Sequence, residues 1–449
     1  MSTGTVSVSS GTALRWFGPL ASLSPSDRSA LLDRSTSLDE GIRQRTATIV
    51  ARVRRDGDRA LIELARELDG VSLESLEVPR KRCLAALDGL DRDVRAAMEH
   101  SLENIAAVHR AFLPTTMETS PEAGIVVGRR PDPHGSVGVY APGGRAAYPS
   151  SLLMGAVPAR VAGVPNVIVC SPPGRDGTPR DVVLAAAALA GVDRVFAVGG
   201  AGAIAAMAFG TATVPRVDRV VGPGNAYVAE AKLQVAGSVA IDSPAGPSEL
   251  LVIADSTSDV EIVAREVIGQ AEHDPRACVV AVVTHEETAN ELRSAILRSL
   301  PAQPRREIIE AALANAGAVL WANAIEDAVA FANAYAPEHL LLALDTAEDL
   351  LPIVRNAGTV FVGSTASVAF GDYMTGANHV LPTGGLARSY SGLSVLDFIR
   401  WTTYQRVDAT AASRLAGPVA VFAEAEALPG HASAARAWSR REPKEASVG

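Results

Sequence analysis

The segment Gln270-Ala271-Glu272-His273-Asp274-Pro275 holds the residue types best suited to chemistry in this chain. The apolar spacing from Asp259 to Ile268 predicts an amphipathic helix running into it. Positions three apart share a helix face, so the Gln270 amide and the His273 imidazole are directed at one point. Pro275 stops the helix there. An amide oxygen and a neutral imidazole at a helix end make half of a metal site. Two later segments, Gly371-Asp372-Tyr373 and the tail His431, offer a carboxylate and a second imidazole for the other half. Pro337-Glu338-His339 sets a carboxylate beside an imidazole, the usual partners in proton transfer. His100, His109, His134 and His285 read as surface or capping residues, and His379 as a structural hydrogen-bonding group.

These groups need a scaffold, and from Gly135 onward the sequence describes one. Short β-branched runs (136–140, 167–170, 195–198, 217–221 and 239–241) each end in a Gly/Pro turn, with Ala-rich helical stretches between them. A second series follows at 250–253, 278–283, 318–321, 340–344 and 359–362. Strand–helix alternation of this kind predicts parallel α/β sheets, here two, and so two lobes. Residues 26–67 and 84–112 have helical periodicity, whereas residues 1 to about 24 have little pattern and are expected to be loose. The sheet pattern ends near residue 382, and the tail is expected to be mostly helical and too short to form its own core.

Gly200-x-Gly202-x-x-Ala205 follows a strand and opens a helix, as the dinucleotide fingerprint does. Glycines there let a pyrophosphate approach the helix N-terminus. An Ala/Gly-rich composition produces such turns too, and the nearest acidic residue, Asp218, falls early for a ribose contact. Both readings stand, and a complete dinucleotide domain is not expected.

With 449 residues the chain is long enough for two or three domains. Its net charge of −9 and its lack of a basic run argue against nucleic acid, which demands many phosphate-neutralising cations. Cys83, Cys170 and Cys278 form no Cys-x-x-Cys pair and read as buried, inert thiols in a reducing compartment. Neither a signal peptide nor an apolar span of membrane length is evident, so a cytoplasmic protein without membrane contact is expected.

Long segments, in order, resemble the histidinol dehydrogenase family. They are Val137-Gly138-Val139-Tyr140-Ala141-Pro142-Gly143-Gly144, Gly222-Pro223-Gly224-Asn225, Ala245-Gly246-Pro247-Ser248-Glu249, Gln270 to Pro275, Pro337-Glu338-His339 and Gly371 to Pro382. The resemblance runs from about Ile42 to His431. It implies oxidation of L-histidinol to L-histidine through the aldehyde, with two NAD and one zinc ion per subunit. It implies zinc ligands Gln270, His273, Asp372 and His431, and an acid/base pair Glu338 and His339. Ser248 and Glu426 would contact the amino-alcohol substrate together with His339 and the zinc ligands, while Tyr140, Gly202 and Asn225 would lie along NAD.

The fold implied is α/β, with two incomplete Rossmann-like lobes of parallel sheet and a helical C-terminal tail. Residues 1–40 would form an N-terminal segment, 41–128 with 248–381 a catalytic and metal lobe, and 129–247 a nucleotide lobe. Residues 382–449 would cross to the partner in a homodimer with shared active sites.

Two positions depart from the family pattern. Gly202 stands where Gly-Gly-Ala-Gln is usual, and Val368 stands near the Glu of a usual Pro-Glu. They leave room for an NAD-dependent dehydrogenase of another polar alcohol, such as a sulfonated diol. A non-catalytic zinc-binding paralogue and a zinc hydrolase using Glu338 are the alternatives from other classes.

Overall fold

Apolar, β-branched runs bounded by glycine and proline form most of the strands in the computed structural model, which describes residues 14–34, 39–143 and 147–439. Gly144 of the 137–144 motif lies outside the described residues. In chain order, β1 (Trp16–Pro19), β2 (Glu77–Val78), β3 (Met117–Thr119), β4 (Ile125–Pro133) and β5 (Ser136–Tyr140) come first. Then follow β6 (Asn166–Ser171), β7 (Arg194–Ala197), β8 (Arg219–Val221), β9 (Ala240–Ile241) and β10 (Glu249–Ala254). β11 (Cys278–Val283), β12 (Gly317–Trp321), β13 (His339–Ala343), β14 (Thr359–Val362) and β15 (Ile399–Val407) complete the set among the described residues. The chain divides into two units, residues 1–112 with 134–398, and residues 113–133 with 399–449.

The larger unit holds two six-stranded sheets. One runs β2-β7-β6-β5-β8-β9, parallel except for β2. Counted from β5, its parallel strands have the order 3-2-1-4-5, a Rossmann order lacking the sixth strand. The other runs β1-β12-β11-β10-β13-β14 and is parallel throughout. Counted from β10 it repeats 3-2-1-4-5, with β1 added at one edge.

Both faces of the second sheet are covered, which is why its strands are apolar at successive positions. Leu250, Val252 and Ala254 pack on one side with Val263, Val267 and Ile268 of the helix Val260–Ala271. Leu251 and Ile253 pack on the other with Phe331 and Tyr335 of the helix Ile325–Tyr335. Asp259 starts the first of these helices by accepting the N–H groups of Glu261 and Ile262.

Three expectations change. Trp16–Pro19, within the stretch expected to be loose, is an edge strand parallel to β12, with Trp16 only 1% exposed. Its partner is some 300 residues away, so no local pattern marks it. The helices Glu40–Asp56, Asp58–Leu64 and Arg92–Ala111 place Val50, Leu61 and Ile105 in the cluster of the β5-centred sheet, so packing groups residues 41–111 with 136–241 rather than with 248–381. The sheet pattern also resumes after residue 382, because β15 is a nine-residue strand.

In the smaller unit β15 pairs antiparallel with β4 from Ile399↔Pro133 to Val407↔Ile125, and β3 adds a third strand. Two helices follow, Ala409–Ala425 and Pro429–Arg436, and share a cluster of Ala420, Ala423 and Ala432. No helix among the described residues is long and apolar enough to cross a membrane.

Candidate active site

The two sheets of the larger unit present opposite ends to one cavity of about 830 Å³. The β5-centred sheet offers the carboxyl ends of its strands, the usual ligand side of such a sheet. Tyr140 ends β5, and Gly222-Pro223-Gly224-Asn225 follows β8. The β10-centred sheet offers amino ends instead. Ser248 and Glu249 open β10, and Glu338 and His339 open β13. Gln270 and His273 reach the same place because the helix Val260–Ala271 runs back along the sheet.

The cavity wall includes Ser248, Gln270, His273, Glu338, His339 and Asp372. It also includes Tyr140, Gly202 and Asn225. Glu426 and His431 do not line it; they lie exposed in the smaller unit, at and just beyond the end of the Ala409–Ala425 helix.

Neighbouring strands lock the Glu338–His339 pair in place. The Glu249 N–H donates to Glu338 Oε2 at 2.7 Å, and the Glu338 N–H approaches Glu249 Oε2 at 3.4 Å. His339 Nδ1 lies 2.9 Å from the Glu249 carbonyl oxygen. A carbonyl can only accept, so Nδ1 carries the proton and a neutral His339 has its lone pair on Nε2. Nε2 is buried without a hydrogen-bond partner among the described residues. The nearest carboxylate oxygen, Asp372 Oδ1, is 3.6 Å away, too far for a hydrogen bond. Phe361 stacks against the ring at 6.0 Å between centroids.

Electrostatics follow from this burial. Burial pushes the Glu338 carboxyl above its ordinary range, against the pull of His339. Burial also opposes charge on His339, but Glu338 and Asp372 outweigh it and raise the imidazole to about 10. Burial likewise disfavours the Asp372 carboxylate, yet the surrounding His339, His379 and His273 hold its carboxyl below the usual value. Burial lowers His273 and His379. His379 Nδ1 donates to the Asp372 carbonyl at 2.8 Å, and its Nε2 lies 3.3 Å from Ser151 Oγ, a structural bonding pattern.

An amide, an imidazole and a carboxylate lining one cavity, Gln270, His273 and Asp372, are oxygen and nitrogen donors of the kind a divalent cation takes. Gln270 is 3% exposed, and Gln270, His273 and Asp372 all face the cavity, so these residues fit a metal ion. No group of three or more His, Cys, Asp or Glu side chains among the described residues is already arranged around a metal position.

On the β5-centred side of the cavity, Gly200 takes φ = +59° to open the helix Gly200–Phe209, and its N–H donates to the Tyr140 hydroxyl at 3.1 Å. Burial pushes the Tyr140 phenol up to about 12. Asn225 caps the helix Ala226–Val235 through the N–H groups of Tyr227 and Val228. Gly202 faces Leu61 and Leu64; a Cβ built on it would stand 3.3 Å from Leu61 Cδ2. Val368 is 4% exposed and packs in the cluster that contains Val263 and Val267.

Sequence reasoning missed the support behind the Glu338–His339 pair. The Arg34 guanidinium binds the Glu249 carboxylate at 2.9 and 3.1 Å, and it lies 3.4 Å over the Tyr335 ring. The Gly384 N–H donates to the same carboxylate at 2.7 Å. Glu249 stood inside a quoted motif without a role, and Arg34 is 215 positions away in no motif at all.

A family model described as histidinol dehydrogenase matches residues 32–438. A histidinol dehydrogenase from Methanosarcina mazei is 43% identical over 94% of this chain and 97% of its own length. One from Natronomonas pharaonis is 48% identical over 92% of this chain and 97% of its own. The crystal structure of histidinol dehydrogenase from Elizabethkingia anophelis superposes with a TM-score of 0.90 at 33% identity, covering 96% of this chain and 99% of that one.

Proposed function

Because this chain belongs to the histidinol dehydrogenase family, we propose that it oxidises L-histidinol through L-histidinaldehyde to L-histidine, using two NAD and one bound zinc. The observation that carries this reading is His339, with its tautomer fixed by the Glu249 carbonyl and its Nε2 bare toward the Asp372 side of the cavity. With zinc offsetting the Asp372 charge that otherwise favours the imidazolium, an alcohol hydroxyl placed there would meet a neutral base.

In the first half-reaction His339 Nε2 takes the hydroxyl proton as the carbinol carbon loses hydride, giving the aldehyde. In the second, Glu338 takes a proton from water as the water adds to the aldehyde. His339 then takes the proton of the resulting diol as the carbon loses its second hydride, and the carboxylate forms. Two hydrides, one water and the released protons balance the conversion of alcohol to carboxylate. Zinc held by Gln270, His273, Asp372 and His431 would orient and polarise the substrate and offset the Asp372 charge beside His339, while NAD would accept each hydride.

Ser248 and Glu426 are proposed to bind the substrate, and Tyr140, Gly202 and Asn225 to border NAD. The reading includes a homodimer in which the tail of a second copy brings Glu426 and His431 to the site. Its support is the thin cluster of Ala420, Ala423 and Ala432 beneath the tail helices and the exposed Val421 and Phe422, at 67% and 70%, on one of them.

Incubation with L-histidinol and NAD should give two NADH per histidine. Chelation should stop turnover and added zinc restore it. One NADH per histidinol with aldehyde released, or no NADH, refutes the assignment.

A further inference from the structure

Two helices carry the proposed metal ligands of the cavity. Gln270 is on the helix Val260–Ala271, with His273 just beyond its end, and Asp372 is on the helix Val368–Tyr373. Ligand sets bind more tightly when their spacing is fixed before the ion arrives. The short second helix has weak means of its own to hold a position. Its N-cap residue, Ser367, makes no side-chain hydrogen bond to its own helix.

The missing cap comes from the other ligand helix. Glu266, one turn before Gln270, accepts the Ser367 hydroxyl on Oε1 at 2.6 Å and the Val368 N–H on Oε2 at 3.0 Å. Both carboxylate oxygens are engaged, one by the N-cap residue and one by the first residue of the helix. Directly beneath, Val368 is buried against the cluster that includes Val263 and Val267 of the Glu266 helix. One polar clasp and one apolar contact thus join the same two helices at the same end.

We propose that Glu266 is a positioning residue for the metal centre: its carboxylate, on the helix bearing Gln270, caps the helix bearing Asp372 and so sets the spacing between them. Glu266 need not touch the ion. It acts by removing a rocking motion of the 368–373 helix that would carry Asp372 away from its co-ligands. This inference rests on the metal-dependent reading of the site.

The test measures zinc binding to the full-length, metal-free chain by competition with a chromophoric chelator, and the visible spectrum of the cobalt-loaded form. Glu266→Ala should raise the zinc dissociation constant by about 10- to 100-fold, as loss of a residue that orients a ligand does, and should alter the cobalt bands. Glu266→Gln keeps an acceptor for the Val368 N–H and a group able to meet the Ser367 hydroxyl, so it should bind zinc nearly as the parent does. Ser367→Ala removes one of the two bonds and should fall between. Thermal melting of the metal-free Glu266→Ala chain should change little, since the clasp is partly exposed.

Unchanged zinc affinity in Glu266→Ala overturns the assignment while leaving the metal centre standing. Equal weakening in Glu266→Gln and Glu266→Ala overturns the capping account, because charge and not hydrogen bonding would then be acting. A parent chain that binds no zinc overturns the metal-dependent reading itself, and this inference with it. If Glu266→Ala does not fold, Ser367→Ala decides alone, and an unchanged constant there overturns the proposal.

Discussion

Replacing Arg34 with methionine should destabilise the β10-centred sheet far more than a surface arginine would. The Arg34 and Glu249 side chains are 5% and 2% exposed, and they meet through two parallel hydrogen bonds. Methionine preserves much of the apolar stem and removes the charge. Glu249 would then keep the Gly384 N–H at 2.7 Å and the long approach of the Glu338 N–H at 3.4 Å, with no cation nearby to balance it. Breaking one partner of a buried pair costs about 3–5 kcal/mol. The lost bonds from Arg34 to the Leu31 and Tyr335 carbonyls act in the same direction.

Urea unfolding, followed through tryptophan fluorescence, should show this loss directly. Removing both charges in Arg34→Met/Glu249→Met should recover part of it, since an apolar pair can replace a buried ion pair at little net cost. Recovery should be incomplete, because the Gly384 N–H then loses its acceptor, at about 1–3 kcal/mol. A loss below about 1 kcal/mol in Arg34→Met, the value of an exposed pair, would refute the reasoning.

Glu338→Gln should spare alcohol oxidation and slow oxidation of supplied histidinal, whereas His339→Asn should slow both by about 10²–10⁴-fold; single-turnover assays on each substrate separate them. Gly202→Gln should lower KM for NAD and leave KM for the amino alcohol unchanged, but only with Leu61→Ala to relieve the 3.3 Å approach; the single variant should be less stable. Refolding an equal mixture of His431→Asn and His339→Asn chains should restore roughly a quarter of normal activity if the tail acts in trans, assuming random pairing, and no recovery despite mixed dimers would place His431 in its own chain. Burial holds His109 near 4 against an ordinary 6.5, and its Nδ1 accepts the Val395 N–H. Below pH 6.5 the unfolded chain gains a proton that this ring refuses, so stability should fall as pH drops from 6.5 toward 4, less steeply in His109→Gln.

The sequence revealed the parts of this molecule that repeat or cluster. Strands such as Ser136–Tyr140 and Cys278–Val283 stood out because buried parallel strands are almost continuously apolar. Gln270, His273, Glu338, His339 and Asp372 stood out because their types carry chemistry, and the fold brings them to one cavity. What stayed hidden was long-range. β1 has only four residues, and β15 is mostly exposed or half-buried on a solvated antiparallel sheet, so neither shows the apolar run of a core strand. The Glu249–Arg34 pair and the Glu266 clasp link residues 215 and about 100 positions apart, and no local spacing encodes such a meeting. Only the fold makes them neighbours.

The edge strand Trp16–Pro19 makes the order of synthesis matter. Its hydrogen-bonding partner, Gly317–Trp321, emerges roughly 300 residues later, and Thr359–Val362 closes the other edge later still. The β5-centred sheet is complete by Ile241 and can consolidate while the ribosome is still translating. The β10-centred sheet cannot, because its first strand must wait for its fourth. Arg34 is tied to that waiting segment, and it supplies the charge that steadies Glu249 behind Glu338 and His339. A nascent chain would therefore form its β5-centred sheet early and complete the wall that carries Glu338 and His339 last. Non-local pairing of this reach is slow, so recovery of activity after denaturation should lag recovery of helical signal.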